Sequence, residues 1–104
     1  MNIEHLTSAV EDRKVLAFEY DDQPRLVEPH AIGLNKKQQL VMRGYQVTGG
    51  SATASEGWKL FTLDKVDHFH TLDLTSHAPR AGYKAGDKGM VQILAELPEA
   101  EVVV

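Results

Sequence analysis

The chain has 104 residues, of which 42% are hydrophobic and 25% are charged, a composition typical of one ordinary globular domain with one modest core. We expect this length to exclude a separate catalytic or DNA-binding domain. Eleven Lys and Arg against fifteen Asp and Glu give a net charge of −4, which excludes a general attraction to phosphate backbones, so any nucleic-acid site must be a local basic patch.

The sequence also indicates a compartment. With no cysteine, the chain can form neither a disulfide nor a thiolate site, as is usual in the cytoplasm. The N-terminal residues lack the basic start and apolar core of a signal peptide, and no apolar run approaches membrane-spanning length. We therefore expect a soluble cytoplasmic protein with no membrane partner, one domain over residues 1–98 and a tail over residues 99–104.

The first predicted element is a helix over residues 3–13. Ile3, Leu6 and Val10 recur at helical spacing, and Asn2 can cap the first turn. From residue 14 the apolar period changes to two. Alternating runs then predict five strands, over residues 14–20, 25–34, 39–48, 58–63 and 66–74. Pro29 has no N–H to donate, and it therefore places the second strand at an edge or at a bulge.

Two connections and the C-terminus complete the predicted fold. The small, polar run over residues 49–57 is typical of a mobile hairpin loop. The connection over residues 75–88 is unusually long and is expected to be either functional or loose. Apolar residues at i, i+3, i+4 and i+7 predict a short amphipathic helix over residues 89–97. Together the elements predict a mainly β (α+β) domain, a small antiparallel barrel of about five strands with a short helix at each end.

Three segments resemble, in order and rough spacing, the motifs of the WYL domain family. They are Val-Glu-Pro-His at 27–30, Leu-Val-Met-Arg-Gly-Tyr-Gln at 40–46, and Gly-Trp-Lys-Leu-Phe-Thr-Leu-Asp-Lys-Val at 57–66. The resemblance covers roughly residues 3–74. It implies an Sm-like, SH3-type β-barrel that serves as a sensing module, mostly in prokaryotic and phage-defence regulators.

The resemblance also implies a ligand groove. In the family, an Arg in the strand before the Phe-x-Leu-Asp corner helps to form that groove. Lys59 stands at the matching position. Lysine keeps the positive charge of the Arg but cannot bind an anion through two nitrogens as a guanidinium does. The family's Trp-Tyr-Leu triplet falls on Leu-Val-Met at 40–42, where only hydrophobicity is kept. His30 matches the family's Pro-His element, for which a structural or groove-lining role is expected.

Period two places Arg43 with Tyr45 on one face of a strand, and Lys59 with Phe61 on one face of the next. If the two strands pair, we expect these cations and rings to converge on a phosphate, a carboxylate or a stacked base. The alternative is that both rings are core and both cations are solvated. We further expect Trp58 and Leu60 to point into the core, and Lys59 to reach the opposite face.

A second candidate group lies in the long connection, where Arg80, Tyr83 and Lys84 form, with Lys88, the densest basic and aromatic grouping of the chain. It either binds a ligand or is a solvated loop. His68 and His70 share a strand face, but without a third ligand we expect no metal. The sequence has no nucleophile elbow and no phosphate-binding loop, so we expect no enzyme, no catalytic residues and no cofactor.

The sequence therefore predicts a non-enzymatic sensing or regulatory domain that binds a nucleotide, single-stranded nucleic acid or another anionic effector. Transcription regulation and defence against phage or mobile elements are the expected settings. The alternative is a structural module that binds a protein partner or a second copy of itself, without a small ligand. A concave basic and aromatic pocket favours the first function, and a large exposed apolar face on the predicted C-terminal helix favours the second.

Overall fold

The computed structural model describes residues 3–49 and 56–99. Within these ranges the regular elements are one helix, six strands and a short 3-10 turn. In chain order they are α1 (Ile3–Glu11), β1 (Lys14–Tyr20), β2 (Gln23–Leu34), β3 (Leu40–Gly49), β4 (Gly57–Thr62), the 3-10 turn (Leu63–Lys65), β5 (Asp67–Thr75) and β6 (Gln92–Glu96). No helix in these two ranges has the length and apolar character needed to cross a membrane.

The six strands form one antiparallel sheet in the order β4-β3-β2-β1-β5, with β6 paired to β2. Strand β2 takes two partners along one edge, because its first half pairs with β1 and its second half with β6. The register with β3 shifts between Pro29 and Ala31, as expected where a proline has no N–H to donate. The sheet is open, so the closed SH3-type or Sm-like barrel that the sequence predicted is not what the strand pairing gives.

The five predicted strands and the first helix are present close to their predicted positions. Helix α1 ends at Glu11, before the predicted residue 13, because Arg13 has a φ of 53°, in the left-handed region that ends a helix. The predicted hairpin loop over residues 49–57 and the tail over residues 99–104 lie largely outside the described residues.

The predicted helix over residues 89–97 is wrong, since this segment contains strand β6. Its backbone pairs with β2, and Ile93 lies opposite Gly33. A Cβ on Gly33 would lie 2.3 Å from the Gln92 carbonyl oxygen and 2.8 Å from Met90 Sδ. The absent side chain therefore lets the C-terminal segment approach β2 closely enough to pair with it.

The largest core cluster joins the buried face of α1 to the inner face of the sheet. Its side chains include Leu6, Val10, Leu16, Phe18, Val27, Ile32, Met42 and Phe61. Phe61 packs edge-on against Phe18 and against Tyr20, with ring centroids 5.1 Å apart in both pairs. Burying such an apolar cluster is the main favourable term in folding a domain of this size.

The opposite face of the sheet is shielded by residues 76–91, called the covering segment below. Met90 packs with Ala31, Val41 and Ile93 in a second, smaller cluster. Backbone hydrogen bonds fix the segment at both ends, from Ser76 N–H to the Arg13 oxygen at 2.7 Å and from Val91 N–H to the Leu34 oxygen at 2.7 Å. The long connection is thus a packed layer rather than a loose loop.

Candidate functional site

Strands β3 and β4 pair with each other, and their register decides which candidate side chains share a face. Arg43 lies opposite Leu60, and Tyr45 lies opposite Trp58. Because directly opposed residues of antiparallel strands point to the same face, these four side chains lie on the side of the covering segment. The prediction that Leu60 points into the core is wrong, since Leu60 is 39% exposed. Trp58 is half-buried and packs against Tyr83, a member of the large cluster that belongs to the covering segment.

Lys59 and Phe61 belong to the other face. Lys59 lies opposite Gly44, and Phe61 lies opposite Met42 in the large core cluster. The predicted convergence of these two residues with Arg43 and Tyr45 is therefore wrong. The prediction failed because the facing of side chains depends on the register between β3 and β4. The length of the hairpin sets this register, and the alternation within each strand does not reveal it.

A buried carboxylate holds the covering segment to the sheet. Glu28 is 2% exposed, and it accepts hydrogen bonds from Arg80 Nε at 2.6 Å and from the His77 backbone N–H at 2.7 Å. Burial alone would raise the pKa of the Glu28 carboxyl, but the hydrogen bonds from Arg80 and His77 hold this pKa below its usual value. Glu28 is therefore ionised at neutral pH and anchors Arg80.

His30 is a second anchor and is fully buried. Its Nδ1 lies 2.8 Å from the Glu28 carbonyl oxygen, and its Nε2 accepts the Arg80 backbone N–H at 3.0 Å. Because a carbonyl can only accept and an N–H can only donate, the ring is neutral with its proton on Nδ1. Burial lowers the pKa of His30 and agrees with this neutral state. Both ring nitrogens are engaged, so of the two expected roles His30 has the structural one.

The rings around His30 form one packed group. Trp58 lies edge-on to His30 at 4.6 Å and to Tyr45 at 5.3 Å, measured between ring centroids. Tyr83 stacks on Trp58 at 6.1 Å and donates its hydroxyl to the Leu97 oxygen at 2.8 Å. Burial, with Glu96 and other nearby acids, raises the pKa of the Tyr83 hydroxyl to about 12.

Arg80 completes this group by placing its guanidinium carbon 4.6 Å from the centre of the Tyr45 ring. A cation over an aromatic face is attracted by the negative charge of the ring's π system. Arg80 thus bonds Glu28 with one nitrogen and covers Tyr45 with its plane. It serves first to fasten the covering segment to strands β2 and β3.

In front of this group a cleft of about 640 Å³ opens between Trp58 and residues 82–89. Its aromatic wall is the half-buried ring of Trp58, with the buried Tyr83 stacked against it, and its charged lining consists of Arg43, Lys84 and Lys88 with Asp87 and Glu99. The lysines are exposed, and in the part of the chain that the structure describes neither forms an ion pair. The cleft thus places an aromatic surface beside exposed positive charges.

Arg43 is already bound within the cleft. Its Nε donates to Asp87 Oδ2 at 2.6 Å, and its Nη2 donates to Asp87 Oδ1 at 3.2 Å. Asp87 Oδ1 also accepts the Gly89 N–H at 2.8 Å. The hydrogen bond from Arg43 lowers the pKa of the Asp87 carboxyl, whose charge therefore balances that of Arg43 at neutral pH. Lys84 and Lys88 then stand against one further carboxylate of the lining, Glu99, so three cations and two carboxylates leave the lining with a single net positive charge.

The structure divides the sequence-predicted site residues into three groups. Arg43, Tyr83 and Lys84 line the cleft. His30, Tyr45 and Arg80 form the packed layer behind it, and Lys59 and Phe61 lie on the other face of the sheet. Four contributors were not predicted as such, namely Glu28, Trp58, Asp87 and Glu99. The carboxylate of Glu28 within the Val-Glu-Pro-His run was the one local signal, because an ionisable residue in a buried strand needs a partner.

Residues 3–49 and 56–99 contain no group of three or more His, Asp or Glu placed to hold a metal ion. Comparisons with protein-family models, with curated proteins and with solved structures found no match for this chain. The resemblance of residues 3–74 to the WYL family therefore stays a hypothesis, and functional interpretation depends on the geometry of the cleft.

Proposed function

We propose that this chain is a non-enzymatic, WYL-like sensing module whose cleft binds a small anionic ligand with a flat ring, with nucleotides as the favoured class. The observation that carries the proposal is the lining of the cleft, which sets the half-buried Trp58 ring, backed by Tyr83, beside Lys84 and Lys88. A nucleotide offers a base to the rings and a phosphate to the ammonium groups. The concave shape supports a bound small molecule over a flat contact.

The charge distribution favours a single nucleotide over a long nucleic acid. The chain has a net charge of −4, and Arg43 and Arg80 are each balanced by a carboxylate. Two lysines can neutralise about two phosphates, whereas typical nucleic-acid sites contact 6–10 phosphates, by a rough count. Among the ligands that the sequence suggested, single-stranded nucleic acid is therefore a weaker candidate than a nucleotide.

The family and the barrel are part of the same proposal. The change of partner along β2 and the 3-10 turn between β4 and β5 support a relationship to Sm-like barrels. That turn coincides with the Leu-Asp corner on which the resemblance to WYL domains rests. A cytoplasmic location and a role in transcription regulation or phage defence belong to the proposal through the same resemblance and the cysteine-free sequence.

A thermal-shift experiment tests the proposal. AMP, GMP and ATP are each added to the wild type, to a Lys84→Ala/Lys88→Ala variant, and to a Lys36→Ala/Lys37→Ala control. The control removes the same charge from the exposed β2–β3 turn, outside the cleft lining. A nucleotide at about 100 times its Kd should raise Tm by on the order of 10 °C in the wild type and the control.

The cleft variant should lose most of this shift. An equal shift in both double variants would remove the cleft as the binding site. No shift with any nucleotide would refute the proposed ligand class.

One observation favours the alternative of a protein-interaction module. Strand β5 pairs with β1 alone among the described strands, most of its residues are exposed, and Leu74 is 55% exposed. A free strand edge with an exposed apolar side chain can pair with another chain. Sedimentation velocity over a range of concentrations tests self-association. A species that remains monomeric throughout would exclude a homo-oligomer built on this edge.

A further inference from the structure

Two successive backbone N–H groups of the covering segment are bound by carboxylates from the C-terminal part of the chain. Ala85 N–H donates to Glu99 Oε1 at 3.2 Å, and Gly86 N–H donates to Glu96 Oε2 at 2.9 Å. Gly86 has a φ of 72°, in the left-handed region that glycine adopts without strain. Successive N–H groups in such a turn form a concave site for anions. In this chain its anions are two of the protein's own side chains.

The two carboxylates are not equivalent. Glu96 belongs to β6, where its backbone pairs with Ala31, and it makes the shorter hydrogen bond. Glu99 follows β6, is exposed, makes the longer bond and lines the cleft together with Lys84. An exposed charge contact contributes little to stability, so the Glu99 contact can be exchanged at small cost.

We infer that the Ala85 N–H and the Lys84 ammonium receive the phosphate of the ligand, and that Glu99 is an internal competitor whose carboxylate leaves when the phosphate binds. This inference rests on the proposed function and names the place and chemistry of its anion site. Glu96 keeps its bond to Gly86 throughout and holds the turn in shape.

The chemistry of the cleft favours a phosphate over a carboxylate. The guanidinium of Arg43 could bind a ligand carboxylate through two nitrogens, but its Nε and Nη2 already donate to Asp87. Lys84 and Lys88 offer point charges instead, and a phosphate has three terminal oxygens that can accept from an N–H and from ammonium groups together. A phosphate dianion also has more charge than the single carboxylate it replaces.

The test compares AMP binding by the wild type, by Glu99→Gln and by Glu11→Gln, using titration calorimetry. Glu11 is an exposed residue at the end of α1, outside the cleft lining, so its variant controls for the change in net charge. Glu99→Gln should bind AMP about three- to fivefold more tightly, the range for removing one exposed charge contact. Glu11→Gln should change affinity by less than about 1.5-fold, since salt screens distant charges.

Amide chemical shifts locate the anion directly. Titration with inorganic phosphate alone should shift the Ala85 N–H signal, and the shift should saturate at lower phosphate in Glu99→Gln than in Glu11→Gln. Equal AMP affinities in the two variants, or an Ala85 signal that does not move, would refute the replacement of Glu99 by the phosphate. The proposed function would still hold in that case if the wild type binds AMP. If none of the three proteins binds AMP, GMP or ATP, the proposed function fails and the inference falls with it.

Discussion

Replacing Arg80 by methionine should destabilise the protein strongly, because it leaves the Glu28 carboxylate buried with one donor. Glu28 is 2% exposed and loses the 2.6 Å hydrogen bond from Arg80, while the bond from His77 remains. Removing one partner of a buried ion pair costs about 3–5 kcal/mol. The Arg80 side chain is 31% exposed, so water already screens part of the pair. We therefore expect the free energy of unfolding to fall by about 3 kcal/mol, which corresponds to a fall of roughly 15 °C in Tm.

The same variant should change how stability depends on pH. In the wild type the pKa of Glu28 lies below its usual value, so the ionised carboxylate stabilises the fold above about pH 4.3, and this contribution is lost as the pH falls. Without Arg80, burial is the dominant influence and raises the pKa of Glu28 above its usual value. Protonation as the pH falls then relieves the buried charge, so the deficit of the variant should be smaller at about pH 5 than at about pH 7.

Urea unfolding of the wild type, of Arg80→Met and of Lys37→Met at both pH values measures these differences. Lys37 lies in the exposed β2–β3 turn, so its variant loses the same charge, gains the same side chain and should stay within about 0.5 kcal/mol of the wild type. Equal losses in the two variants would refute the role assigned to the pair. So would a deficit of Arg80→Met that is unchanged at the lower pH.

Two further expectations follow from burial. Phe61→Ala should cost about 3–5 kcal/mol in chemical denaturation, because its ring fills the core against Phe18 and Tyr20, whereas Leu60→Ala on the exposed face should cost less than about 1 kcal/mol. Similar losses would contradict the register of β3 and β4. Because the pKa of His30 is lowered in the fold, the stability of the wild type should decline as the pH falls below about 6.5, the usual pKa of histidine, and His30→Gln should remove this part of the decline. A decline of the same size in His30→Gln, measured by thermal unfolding across this range, would show that another group titrates.

The sequence was sufficient for the strands, because alternation is a local property that each strand shows by itself. Predicted residues 14–20 coincide with β1, and the other four predicted strands differ from the observed ones by small shifts at their ends. The prediction of a helix in the C-terminal segment was wrong, because the spacing of its apolar residues fits both a helix and a strand. Ile93 and Ala95 are half-buried, and Leu94 between them is exposed, so the same apolar residues also satisfy a strand. Pairing with β2 decided between the two.

The candidate site required contacts that no local pattern contains. The basic residues were recognisable as a group, but their carboxylate partners are far away in the chain. Arg43 and Asp87 are 44 residues apart, and Glu28 and Arg80 are 52 residues apart. A solvated cation and a cation in a partly buried ion pair have the same appearance in sequence. Which cations are unpaired and available to a ligand can therefore be decided only from the fold.

Strand β2 supplies several of the contacts that hold residues 76–97 to the sheet. Glu28 and His30 hold Arg80, the His30 oxygen accepts the Leu97 N–H, and the Leu34 oxygen accepts the Val91 N–H. The facing wall of the cleft, Trp58, belongs to β4, on the far side of β3. The two walls thus come from different parts of the sheet, and they meet where Tyr83 stacks on Trp58. Substitutions in β2 therefore act on the wall that carries Tyr83 and Lys84, whereas substitutions in β4 act on the wall that carries Trp58.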